Sequence, residues 1–226
     1  MASAIDAEVK ALPQRNTQAL RAIRRRYSRA LRDASPQLVF DLAADLIRGK
    51  AYRWIAYELI SNHKPAFAEL NQQRLEKLGQ GMNSWWTVDE FARILSGPAW
   101  RHGYVSDRAI VKWARSADPW WRRASLVSTV ALNVRSQGGM GDSARTLRVC
   151  DLLIKDKDDA VTKALSWALR ALSTHDAKAV REFVRRNDQF LAARVKREVN
   201  NKLRTGFKNP GPPPRQKLGA TPVARL

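Results

Sequence analysis

Two aspartates forty residues apart, Asp118 and Asp158, constrain the fold of this chain more than any other feature. Each stands before a long stretch with apolar residues at helical spacing, where a short side-chain oxygen can accept from the free N–H groups of a first helical turn. Superposing the two aspartates also superposes Arg123 on Lys163 and Ala124 on Ala164. An acidic cap, a cation and then a small residue for close helix approach recur at the period of two-helix repeats. Units of that kind cannot bury their cores singly, so they stack side by side.

The rest of the chain agrees. Helical segments are predicted over 4–12, 16–33, 36–49, 51–62, 65–78, 84–96, 106–116, 119–134, 141–154, 159–173, 176–185 and 190–204, with strand-like alternation nearly absent. Ser35-Pro36, Lys64-Pro65 and Asp118-Pro119 put proline in a first turn, where its missing N–H costs nothing. The expected fold is all-α: an α-solenoid (superhelix) of HEAT-like helical repeats over residues 1–206, with a concave basic face. After Gly206 the run FKNPGPPPRQKLGATPVARL is Pro-rich, basic and without apolar pattern, so 207–226 is expected to be a disordered tail.

Charge narrows the partner. Forty-one Lys and Arg against twenty-one Asp and Glu give +20, and a surplus of that size calls for a polyanion. Segment 16–33 concentrates it: Arg21, Arg24, Arg25, Arg26, Arg29 and Arg32 surround an apolar stripe of Leu20, Ile23, Tyr27, Ala30 and Leu31. Like charges so dense repel one another unless a phosphate chain neutralises them, so Arg25 and Arg29 are expected to meet DNA phosphates. No stretch approaches the roughly twenty apolar residues that span a bilayer. The opening MASAIDAEVKALPQ lacks the apolar core of a signal peptide, Cys150 has no disulfide partner, and three scattered histidines make no metal site. A cytoplasmic, nucleoid-associated monomer without metal or cofactor is the expectation.

Candidate chemistry lies first in 84–95, SWWTVDEFARIL. Trp85, Val88, Ala92 and Leu95 share one helical face, the run ends at Gly97, and Asp89 follows Trp85 by four residues, so the two side chains are neighbours. A carboxylate against an indole, partly out of water, is poised to stabilise positive charge. Arg123 lies in the first turns of an apolar inner helix and needs an anionic partner, which Asp89 or a phosphate supplies. Lys163, Trp167 and Arg170 fall at i, i+4 and i+7, a ring between two cations of the kind that nucleic-acid surfaces use.

Three motifs in order then resemble one family. Trp85-Trp86-Thr87-Val88-Asp89, Trp121-Arg122-Arg123-Ala124-Ser125 and Lys163-Ala164-Leu165-Ser166-Trp167-Ala168-Leu169-Arg170 are similar to the runs shared by DNA alkylation repair proteins of the AlkD type, over roughly 16–205. One departure is Trp86, where many relatives carry an acid. The resemblance implies a HEAT-like-repeat DNA glycosylase, a monofunctional hydrolase of N3- and N7-alkylated purines in double-stranded DNA. It implies Asp89 as catalytic carboxylate, Trp85 and Trp167 on the lesion's sugar, and Arg123 on a phosphate, with Lys163 and Arg170 as further phosphate contacts. It also implies that the lesion stays stacked. An Asp89→Asn change is then expected to cut single-turnover excision by about a hundredfold or more while leaving duplex affinity and melting temperature near native. The alternative is a non-catalytic HEAT-like-repeat protein that binds DNA or RNA by shape and charge.

Overall fold

A computed structural model of the protein describes residues 1–50 and 52–211. Among the described residues every regular element is helical. In chain order they are α1 (Ala2–Lys10), α2 (Thr17–Ala30), α3 (Pro36–Lys50), α4 (Arg53–Asn62), α5 (Lys64–Ala68), α6 (Gln72–Gly79) and α7 (Trp85–Phe91), which runs through a π turn (Ala92–Ser96) into α8 (Gly97–Arg101). Then come α9 (Asp107–Ala114), α10 (Pro119–Asn133), a 3₁₀ turn (Arg135–Gln137), α11 (Ser143–Leu152), α12 (Asp159–Leu172), α13 (Ala177–Arg186) and α14 (Ala193–Thr205).

The forty-residue register is built from hydrogen bonds. The Trp120 N–H donates to Asp118 Oδ1 at 2.8 Å, and the Ala160 N–H donates to Asp158 Oδ1 at 2.8 Å. Two residues upstream, Ser116 Oγ accepts from the Asp118 N–H and Asp156 Oδ1 from the Asp158 N–H, so both turns close alike. Arg122 Nε joins the two turns through Asp156 Oδ2 at 2.6 Å.

Neighbours in sequence pair off: α3 packs on α4, α9 on α10, α11 on α12 and α13 on α14. A second series runs across the pairs, with α4 against α7, α7 against α10, α10 against α12 and α12 against α14. Such packing is consistent with helical repeats. From Arg123 onward α10 is buried at every residue, the inner helix its small apolar residues anticipate. Its hydroxyls find acceptors within the helix, Ser128 Oγ donating to the Ala124 carbonyl and Thr129 Oγ1 to that of Leu126.

Two boundaries differ from expectation. The segment 65–78 is not one helix, because the Asn71 carboxamide accepts from the Arg74 N–H and starts α6 anew. The helix through 84–96 does not stop at Gly97. Pro98 has no N–H to return to the preceding turn, and the π turn, in which the Gly97 N–H reaches the Ala92 carbonyl, lets the chain continue. Gly97 serves a close approach instead: a Cβ there would stand 2.7 Å from both Ala131 Cβ and the Ser128 carbonyl of α10. The expectation of a disordered tail falls, from residue 212 on, outside the described residues.

Candidate functional site

The core pins α7. Val88, Phe91, Ala92 and Leu95 are fully buried, and the Phe91 ring meets Tyr57, Trp113 and Trp121 at centroid distances of 5.9, 6.0 and 5.7 Å. Trp85, expected on that buried face, is 64 % exposed instead, because it stands in the first turn where no neighbouring helix covers it. With the core face set, Trp85 with Asp89 and Trp86 with Glu90 form two adjacent ridges, each an indole four residues before a carboxylate.

Asp89 is gripped from behind by α10. Arg123 Nε donates to Oδ1 and Nη2 to Oδ2, both at 2.9 Å, a parallel two-bond pairing. The remaining Arg123 nitrogen donates to the Ala160 carbonyl at 2.5 Å, and the residue is only 5 % exposed. Burial pushes the Asp89 carboxyl above the usual range, while the Arg123 guanidinium and, further off, Arg93 pull it back. Both oxygens lie on one guanidinium, which favours the charged form against that burial.

Asp89 opens on a cleft of about 1180 Å³ whose lining includes Trp85, Trp86, Glu90, Arg93 and Trp167. Trp85, Asp89 and Trp167 therefore converge, although they come from α7 and α12. Arg123 stands behind the cleft, its Nε, Nη1 and Nη2 each donating one hydrogen bond to protein. Arg93, from the π turn, is exposed to the cleft, and its guanidinium lies 5.8 Å from the centre of the Trp167 ring.

The other cations divide. Lys163 is half exposed and reaches Asp159 at 2.6 Å, one turn back along α12. Arg170 is largely buried, donating to Ser166 Oγ at 3.2 Å with Glu198 at 3.9 Å; burial draws it below the ordinary arginine range and Glu198 opposes that. Neither lines the cleft. On α2, Arg24 pairs with Glu58 and Arg26 with Glu8, while Arg25 and Arg29 are exposed with no ion-pair partner among the described residues. Both follow Arg21, a cleft residue, at four-residue steps, so one basic ridge leads outward from the cleft.

Sequence reasoning missed Trp54, Trp86, Glu90 and Arg93. Glu90 and Arg93 carried a signal, each four residues after Trp86 or Asp89. Trp54 carried none, being brought in by α4. Glu90 accepts no hydrogen bond among the described residues; burial pushes its carboxyl up to about 7, against the pull of Arg53 and with the help of the Asp89 charge. No cluster of three or more His, Cys, Asp or Glu is placed to hold a metal among the described residues, and no helix there is long and apolar enough to cross a membrane.

The chain matches the family model described as DNA alkylation repair enzyme over residues 15–203. No curated protein and no solved structure matches it.

Proposed function

This chain belongs to the DNA alkylation repair enzyme family, and on that premise we propose that it is a monofunctional DNA glycosylase that hydrolyses the N-glycosidic bond of cationic N3- or N7-alkylated purines in duplex DNA. The observation that carries the reading is Asp89 itself, a carboxyl gripped through both oxygens by Arg123 in a cleft that Trp85 and Trp167 also line.

An alkylated purine already bears the positive charge that a leaving group otherwise gains from an acid. The C1′–N bond breaks with its electron pair going to the base, which leaves neutral, and charge passes to an oxocarbenium-like sugar. Trp85 and Trp167 offer negative ring faces to that sugar, and Asp89 stabilises it and aligns a water whose oxygen bonds to C1′. The water's proton leaves through Asp89 to solvent. Arg123 fixes the direction of the carboxylate and favours its charged form, so its role is positioning. Arg93, exposed at the cleft, joins it as a further candidate for a phosphate.

The helix pairs form a solenoid whose concave face takes the duplex. Arg21, Arg25 and Arg29 follow the phosphate backbone away from the cleft, and Lys163 exchanges Asp159 for a phosphate. Arg170, held by Ser166 and Glu198, orders α12 beneath Trp167.

The test is a duplex with one 7-methylguanine, incubated with the protein and assayed for free base by chromatography. Free base is expected with the wild type and not with Asp89→Asn. Binding without release by the wild type would leave the non-catalytic reading.

A further inference from the structure

The last two helices carry a second basic surface, apart from the cleft. Arg181 of α13 and Arg197, Asn200, Asn201, Leu203 and Arg204 of α14 line an open groove of about 560 Å³ between the two helices. None of these residues lines the cleft. Arg181, Arg197 and Arg204 are exposed, and none makes an ion pair or a side-chain hydrogen bond among the described residues. The acids of the two helices and of the turn between them do not neutralise these arginines. Glu198 is buried, taking a hydrogen bond from Ser166 Oγ at 2.7 Å, and Asp188 pairs with Lys196 at 3.2 Å. Glu182 stands exposed with no ion pair among the described residues. Past Gly206 the sequence adds Lys208, Arg215, Lys217 and Arg225 and no Asp or Glu.

The direction of this surface follows from helix periodicity. Val195, Glu198 and Val199 are the buried residues of α14, which packs on α12. Arg197 and Arg204, two turns apart, lie on the opposite side of the helix. They stand about 10 Å apart along it, with Arg181 across the groove, so the cations mark out a strip and not a point. A terminal helix pair needs a polar outer face for solubility, and mixed charge serves that purpose. Unpaired cations of one sign repel one another, and a chain of phosphates relieves several of them at once while releasing its own counterions. Because the strip is turned away from α12, which supplies Trp167 to the cleft, a stretch of duplex seated against Asp89 leaves it open.

We propose that the α13–α14 groove binds the phosphate backbone of a second DNA segment while the cleft holds the first. The protein then passes between segments through a state bound to both, without first dissociating. For a protein that must find its site among a large excess of ordinary DNA, such transfer shortens the search. The inference rests on DNA as the partner of this family and not on the chemistry proposed at Asp89.

The experiment loads the full-length protein with a fluorescent duplex just long enough to fill the cleft. Unlabelled duplex is then added at rising concentration and fixed salt, and anisotropy is followed by stopped flow. Transfer through a doubly bound state makes the release rate rise with competitor concentration, whereas simple dissociation leaves it constant. The wild type is expected to show the rise. The triple variant Arg181→Ala/Arg197→Ala/Arg204→Ala should lose it while keeping near-native affinity for the labelled duplex, which also reports a folded cleft. The corresponding glutamine triple, of closer side-chain bulk, should behave in the same way. A control that removes three exposed cations around α6 and α9, Lys77→Ala/Arg108→Ala/Arg115→Ala, should keep the rise. A constant wild-type rate, a rise that survives in either triple, an equal loss in the control, or triples that no longer bind the labelled duplex overturns the proposal. Transfer without release of 7-methylguanine would refute the glycosylase reading and leave the second site; release without transfer would do the reverse.

Discussion

The two ridges of α7 carry the same residue types at the same spacing and differ in what stands behind them. Asp89 has a guanidinium on both oxygens, delivered by α10; Glu90 has none, although burial raises both carboxyls. Spacing along a helix decides which side chains are neighbours. The element packed behind decides whether a carboxyl is gripped through both oxygens or left to the effect of burial. The first condition suits stabilisation of a developing charge, the second favours the proton.

The sharpest way to break this contrast is Asp89→Asn. Loss of a preorganised electrostatic partner should cut single-turnover excision by about a hundredfold to a thousandfold at saturating duplex. A wild-type rate would remove Asp89 from the chemistry. The sequence expectation of an unchanged melting temperature is replaced here, because the substitution leaves the Arg123 charge buried with only a neutral partner. The variant should therefore melt below the wild type, and excision is best compared well below both transitions.

Next in size is Arg123→Ala, which strands Asp89. Removing one partner of a buried pair costs about 3 kcal/mol, a fall of roughly 6–12 °C in melting temperature for a chain of this length. Arg123→Lys keeps the charge and loses the paired geometry, so it should fall between. Thermal unfolding of the three proteins decides it; an unshifted Arg123→Ala would mean that the pair contributes nothing net.

The same contrast of free and engaged groups recurs between α2 and α12. The double variant Arg25→Ala/Arg29→Ala should reduce the log–log salt slope of duplex binding by about two, close to one for each phosphate no longer neutralised. Arg170→Ala should leave that slope unchanged, since Arg170 is held by Ser166 and Glu198. Equal slopes for both variants would mean that exposure in the free protein does not decide which cations reach the backbone.

The smallest effect belongs to Glu90→Gln and depends on pH. The carboxyl rises from an ordinary 4.5 to about 7 in the folded protein, so the folded state holds this proton more tightly than the unfolded chain. Below pH 4.5 the group is protonated in both states and costs nothing; between there and pH 7 stability falls as pH rises. Glutamine avoids that loss. Allowing for its partial exposure, the gain should be about 1 kcal/mol at roughly pH 8, or about 2–4 °C, and near zero at about pH 4. An equal gain at both pH values would place its origin in packing.

Much of this was legible before folding. Asp118 and Asp158 both cap helices as expected, because capping depends on a short oxygen and the N–H groups within three residues of it. The Trp85 and Asp89 neighbourhood followed from an i, i+4 count. The Gly97 reading failed because helix continuity there depends on a backbone approach to α10, which no local pattern contains. Trp85 was grouped with the core for a related reason: periodicity gives direction around the helix axis but not where covering helices end.

The sequence by itself determined the all-helical class, the forty-residue register, the cationic surplus and three of the residues that gather at the cleft, Trp85, Asp89 and Trp167, since each follows from interactions within a few residues or from composition. Only the tertiary structure decided how the charges are spent. Arg123 faces Asp89 because α7 lies on α10, thirty-four residues apart in sequence, and Trp54 joins the cleft because α4 lies on α7. Coulomb and ring interactions act over a few ångströms in space, whatever the distance along the chain, so the state of each group becomes readable only once the helices are packed.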